Sequence, residues 1–168
     1  MTLRKLELRD APFMLEWMHD PSVVEKMNTD FSEKTIEDCQ HFITKSQNDG
    51  NDIHMAIVDD ADIYQGTVSL KNINRKWSNA EFAITIREGA MGKGVSKYGM
   101  KKIIEMAFEN IGLSSVYWCV APDNARAIRF YDKNGYNRIP YKTVIPYAKY
   151  RDEFVKTCLW YEVKNECE

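Results

Sequence analysis

Residues 91–96 read Met-Gly-Lys-Gly-Val-Ser and open a strongly patterned helix. Glycine lets a backbone approach an anion closely, and the unpaired N–H groups of a first helical turn, at the positive end of its dipole, hold negative charge. Lys93 and Lys97 place cations beside that turn. Met91, Gly92, Lys93, Gly94, Val95, Ser96 and Lys97 therefore form a candidate phosphate cradle, to be weighed against a loop that needs two glycines only to change direction.

Two familiar phosphate loops do not fit. A Walker loop, G-x-x-x-x-G-K-[ST], needs glycine where Arg87 stands and a hydroxyl residue where Gly94 stands. A dinucleotide loop needs glycine in place of Lys97 and an acid closing the next strand, and residues 115–121 contain no acid.

Such a turn needs a strand before it and a helix behind it. Residues 80–86 alternate Phe82, Ile84 and Ile86 against Glu81, Ala83 and Thr85, the period of a strand. Beyond Gly94, Met100, Ile103, Ile104, Ala107, Phe108 and Ile111 fall on one helical face. Gly112 ends that helix, 115–120 reads as a hydrophobic strand, 124–134 as a short helix closed by Gly135, and 154–163 as a last strand. Upstream, 3–8 alternate as a first strand, and Asp10 caps a helix with Pro12 in its first turn and Phe13, Met14, Trp17 and Met18 on one face. A second helix spans 32–47 with Ser32 as its cap, and 53–58 and 63–73 precede 80–86 as an antiparallel meander. The order β-α-α-β-β-β-α-β-α-β-β is a mixed α/β layout, in which the strands joined by the long helix are parallel and the site lies where that helix begins.

The 168 residues suit one domain, 1–168, which can bury roughly 70% of its unfolded surface. A net charge of −2 lacks the concentrated basic surface of a nucleic-acid partner. The alternating N-terminus has neither a signal-peptide core nor a membrane span, so a cytoplasmic location is expected, with no membrane. Cys39, Cys119, Cys158 and Cys167 are too dispersed for a disulfide scaffold and read as reduced, mostly buried thiols. His19, His41 and His54 lack ligand spacing, and no metal is expected.

Gly92 to Ser96 resembles the Q/R-x-x-G-x-G/A motif of the GNAT acetyltransferase superfamily, with Met91 in place of the usual Gln or Arg and Ser96 in place of the final Gly or Ala. About 30 residues later, Asn-Ala-Arg-Ala-Ile-Arg-Phe-Tyr-Asp-Lys-Asn-Gly-Tyr at 124–136 resembles that family's N-x-x-A-x-x-F-Y-x-x-x-G-F/Y segment. Residues 17–21, Trp-Met-His-Asp-Pro, and 80–86 are similar to the branch with ribosomal-protein and spermidine acetyltransferases. The resemblance implies a mostly antiparallel sheet of about seven strands flanked by about four helices, with a splayed parallel pair at the cofactor site. It also implies acetyl-CoA as co-substrate and direct transfer of its acetyl group to an amine.

Amine acetylation needs a neutral amine, a polarised carbonyl and a proton for the departing thiolate. The resemblance assigns the proton to Tyr131, contact with the cofactor arm to Asn124, and pairing with pantetheine to the backbone of Ile84, Thr85 and Ile86. The residues themselves leave simpler roles open: a packed aromatic at Tyr131, an N-cap at Asn124, a buried strand at 84–86. Glu81, on the opposite phase from Phe82, could take the amine proton directly or through water, or be a surface carboxylate. Cys119 on a strand reads as core rather than as a nucleophile.

The acceptor falls to the N-terminal helices and the segment 141–151 with Tyr147 and Tyr150. Asp20, Asp30, Glu33, Glu37 and Asp38 could greet a polyamine or be a solvated face. A peptide α-amine, an amino sugar and a polyamine or other small amine stay open, as do a non-catalytic acetyl-CoA-binding module and a nucleotide-phosphate binder. The oligomeric state is open too, a homodimer being one option.

Overall fold

A computed structural model describes residues 1–166. Strands β1 (Thr2–Lys5), β2 (Ile53–Val58), β3 (Tyr64–Asn74), β4 (Asn79–Ile86), β5 (Ser115–Val120), β6 (Asn137–Ile139) and β7 (Leu159–Lys164) form one seven-stranded sheet in the order β1-β2-β3-β4-β5-β7-β6. Neighbours are antiparallel except β4 and β5, which the long helix α4 (Val95–Glu105) connects. The longer helices α1 (Ala11–Met18), α3 (Ile36–Ser46), α4 and α5 (Ala125–Lys133) are those marked by hydrophobic period or capping signals. Short helices α2 (Pro21–Val24), α6 (Tyr141–Val144) and α7 (Asp152–Thr157) join them.

The alternation along β4 divides the two sides of the sheet. Ala80, Phe82, Ile84 and Ile86 enter the core that α4 supplies with Val95, Met100, Ile103 and Ile104. Glu81, Ala83 and Thr85 belong to the other side, opposite Lys71, Ser69 and Thr67 of β3. On that side a second core gathers Trp17, Cys39, Ile43 and Tyr64 with α1 and α3, and a third gathers Tyr117, Val144, Val155 and Trp160 with α6 and α7.

Five local expectations need correction. The second helix starts at Ile36, not near Ser32: Thr35 Oγ1 accepts from Asp38 N at 3.3 Å while the Asp38 carboxylate accepts from Thr35 N at 2.9 Å, a reciprocal cap that a lone serine cannot match. Ser32 instead donates its N–H to Asp30 in a tight turn. Strand β1 stops at Lys5, and Asp10 stands at the N-cap position of α1 but does not cap it with its side chain, because its buried carboxylate accepts Arg4 Nη1 and Nη2 at 2.7 and 2.9 Å together with Glu7 N at 2.8 Å. That bidentate charged pairing wins over capping.

Residues 154–157 belong to α7, not to the last strand, which begins at Leu159. Asp152 and Glu153 favour the helix through its dipole, and Trp160 Nε1 donates to Val155 O at 2.8 Å, tying the helix end to β7. Finally, α4 widens into a π-helical turn at Met106–Asn110, so Phe108 and Ile111 at its end are only half-buried. Cys39, Cys119 and Cys158 are free thiols, the first and last buried; Cys167 lies outside the described residues.

Candidate active site

Strand β4 ends in a 3-10 turn, Glu88–Ala90, after which Gly92 and Gly94 take φ of 75° and 78°. A Cβ at either would meet no atom within 4 Å, so the left-handed backbone, not crowding, is what calls for glycine. Gly94 is the N-cap of α4 and no side chain caps the helix, leaving its first amides for an anion. Lys93 is exposed beside them. The turn thus fits a pyrophosphate by its backbone.

Met91, where the motif usually has a cation or amide, packs between the first two cores, and its sulfur accepts a hydrogen bond from Arg126 Nη1 at 3.1 Å. Arg126, on α5, brings a guanidinium to the turn from the other motif. Sequence reasoning missed it, since an arginine between two alanines on an exposed helical face carries no signal of its own.

The parallel pairing of β4 with β5 consists of Asn79–Ser115, Ala80–Val116 and Glu81–Tyr117, and ends there. Beyond this vertex Ile84, Thr85 and Ile86 remain paired to β3, through Val68, Thr67 and Gly66, while the β4 edge towards β5 has lost its strand partner. Such an edge suits an extended amide-bearing arm.

Glu81 stands at the vertex and is 2% exposed, which removes the surface-carboxylate reading. Three donors converge on it. The Tyr150 hydroxyl donates to Oε1 in a short bond, Asn72 Nδ2 donates to Oε2 at 3.2 Å, and Lys71 Nζ lies 3.4 Å from Oε1. Lys71 also donates to Tyr150 Oη at 3.5 Å. Asn72 reaches Glu81 from a register shift in β3, with φ of 52°, a left-handed conformation asparagine tolerates better than most residues. Burial, then the charge and hydrogen bond of Glu81, raise the Tyr150 hydroxyl far above its ordinary pKa. It stays protonated.

Tyr131 lies on α5 and is 7% exposed, its ring against Trp118 and Tyr161 with centroids 5.2 Å away in each case. Burial raises this hydroxyl too, so it holds its proton at neutral pH. Asn124 caps α5, its Oδ1 accepting from Ala127 N at 3.2 Å. Cys119 pairs with Cys158: the Cys119 thiol donates, which together with burial raises its pKa, while Cys158 is lowered to about 7 by the same bond. A thiol so held is a poor nucleophile.

Of the acids that could greet a polyamine, Asp20, Asp30 and Asp38 accept backbone N–H groups of Ser22, Ser32 and Thr35, which is local turn chemistry. Glu33 and Glu37 are exposed. An open groove of about 530 Å³ beside them is lined by Met18, Val24, Glu25, Asp30 and Phe31, and Glu81 is not among its lining residues. Tyr147, by contrast, is in the Glu81 neighbourhood, with its ring 4.8 Å from Tyr117 and 5.6 Å from the exposed Trp77. His54 is engaged with Ser69 Oγ at 2.7 Å. Among the described residues no three His, Cys, Asp or Glu side chains cluster as metal ligands, and no helix is long and apolar enough to cross a membrane.

The sheet is mixed and opens after its parallel pair, with a glycine turn at the start of the connecting helix. Residues 1–137 match the acetyltransferase (GNAT) domain, and the chain belongs to that family as an acetyl-CoA-dependent N-acetyltransferase. It is 28% identical over 134 residues to the N-acetyltransferase p20 of Bacillus licheniformis, itself uncharacterised, with 77% of this chain and 74% of that protein covered. It is 25% identical over 138 residues to the spermidine N(1)-acetyltransferase of Vibrio cholerae, covering 81% and 78%. The crystal structure of spermidine N-acetyltransferase from Vibrio cholerae in complex with CoA and spermine superposes with a TM-score of 0.77 at 19% identity, over 97% of this chain and 94% of that one.

Proposed function

We propose that the protein moves the acetyl group of acetyl-CoA directly to a primary amine in a ternary complex, with Tyr131 as general acid and Glu81 as base. The acceptor is a small-molecule amine, an amino sugar or polyamine, or a peptide N-terminal α-amine. The observation that carries this reading is the opening of the sheet at Glu81–Tyr117, with a buried carboxylate at its vertex.

In this reading the pyrophosphate rests on the amides after Gly94, with Lys93, Lys97 and Arg126 as cations, and the pantetheine arm pairs with the backbone of Ile84, Thr85 and Ile86. Asn124 serves as the α5 cap and as a contact to the arm. The amine loses its proton towards Glu81, its nitrogen attacks the thioester carbonyl, Tyr131 protonates the thiolate as the C–S bond breaks, and the second proton shed by the acylated nitrogen restores the Tyr131 hydroxyl. No acetyl-cysteine forms, in keeping with the engaged thiol of Cys119.

The spermidine N(1)-acetyltransferase relative and the structural neighbour in complex with CoA and spermine favour a polyamine acceptor. The ammonium of Lys71 beside Glu81 and the use of three acids as turn caps favour an acceptor with one positive charge. A thiol-release assay with acetyl-CoA across polyamines, amino sugars and N-terminal peptides decides between them. Acetyl-CoA binding with no release for any amine would instead identify a non-catalytic binding module.

A further inference from the structure

Glu81 has a side chain 3% exposed, so an incoming amine meets it only through a neighbour. The neighbours are known: Lys71 on β3, Asn72 in the register shift beside it, Tyr117 and Cys119 on β5, and Tyr150 in the segment between α6 and α7. Of these only Tyr150 donates to the carboxylate through an atom that can itself accept from another donor, since Asn72 donates through an amide nitrogen that has no lone pair to offer. One lone pair of that oxygen accepts from the Lys71 ammonium at 3.5 Å, which leaves the other for a second donor. A protonated primary amine can therefore sit on Tyr150 Oη while the hydroxyl proton points at Glu81, which is the geometry an acceptor ammonium needs.

We propose, resting on the assignment of Glu81 as base, that Tyr150 is a catalytic residue that relays the acceptor's proton. The ammonium gives one proton to Tyr150 Oη as the Tyr150 hydroxyl gives its own to Glu81 Oε1. Tyr150 ends neutral, Glu81 protonated and the amine free to attack, so protons and charge balance. The hydroxyl is never required to ionise, which suits its buried place beside a carboxylate. Its ring is braced on Phe154 and Trp160, with centroids 4.9 and 6.2 Å away, so the oxygen is positioned by the fold and not by the substrate.

The test compares Tyr150→Phe, Glu81→Gln and the double variant in steady-state kinetics with the best acceptor from the amine panel, each checked by thermal melt for folding. Phenylalanine keeps the ring packing. General-base steps contribute roughly 10²-fold or more, so Tyr150→Phe should lose about that much kcat/KM for the acceptor at neutral pH with acetyl-CoA affinity unchanged. The loss should shrink as pH rises and the free amine supplies itself, and the double variant should lose no more than the worse single. A merely structural tyrosine would give a loss that does not vary with pH. Tyr150→Phe within threefold of the parent while Glu81→Gln is crippled, or losses that multiply in the double variant, overturns the relay. A neutral Glu81→Gln overturns the assignment of the base itself, and the relay with it.

Discussion

Arg126 Nη1 lies 3.1 Å from the sulfur of Met91, a residue 35 positions earlier in the chain. The contact joins the two sequence motifs and sets a guanidinium at the glycine turn, where the motif's usual first residue would have supplied a Gln or Arg side chain. A thioether is a weak acceptor, so the guanidinium keeps most of its hydrogen-bonding capacity for an anion.

Arg126→Ala should weaken acetyl-CoA binding about tenfold, the loss of one charge-assisted hydrogen bond of roughly 1.5 kcal/mol. The deficit should narrow at high salt. Calorimetry with CoA at two ionic strengths measures it; equal affinities would show that the backbone amides and Lys93 suffice.

Removing the Tyr131 hydroxyl should lower kcat on the order of 10²-fold and leave acetyl-CoA affinity nearly intact, because the proton is needed only as the thiolate forms. The ring makes the packing contacts with Trp118 and Tyr161, so Tyr131→Phe keeps the fold. Because burial holds this hydroxyl well above the ordinary tyrosine value of about 10, the parent should show no alkaline limb from Tyr131 below about pH 10. Unchanged kcat in Tyr131→Phe would remove it from the acid role.

Tyr64, Tyr117 and Tyr131 are all buried with hydroxyls raised above 10.0, chiefly by desolvation. The folded state therefore keeps protons that the unfolded chain gives up above about pH 10, and linkage makes stability fall as pH rises past that point. Each such tyrosine removes about 1.4 kcal/mol per pH unit. Denaturant midpoints should be flat with respect to these groups below pH 9 and drop steeply from pH 10 to 11, with Tyr131→Phe less steep than the parent. An equal slope in the variant would count against burial of that hydroxyl.

Legibility from sequence followed the range of the interactions. The glycine turn, β5 and α5 are set by neighbours within a few residues: φ at Gly94, an unbroken apolar run, and the Asn124 cap were all readable in place. Residues 154–157 were misread because a tertiary partner, the third core, decides for α7, and Asp10 because its carboxylate turns back to Arg4 and Glu7 N instead of forward onto α1. The Glu81 cluster was readable only in part. Its carboxylate falls on the right phase of β4, but Asn72 depends on a register shift and Tyr150 on a segment 69 residues away. No local pattern encodes either.

Lys71 is the residue whose charge bears most directly on acceptor choice. Its ammonium, 3.4 Å from Glu81 and 3.5 Å from Tyr150 Oη, occupies ground that a second ammonium of a polyamine would approach. Two like charges some 7 Å apart at an effective dielectric near 40 repel by roughly 1 kcal/mol, a factor of about five in kcat/KM. Lys71→Met keeps an apolar stem at the site and removes the charge. The variant should raise the ratio of kcat/KM for spermidine over a monoamine of similar length by about that factor, more at low salt than at high. A ratio that does not move would mean that the distal ammonium of a polyamine lies away from β3, towards the acids of the N-terminal groove.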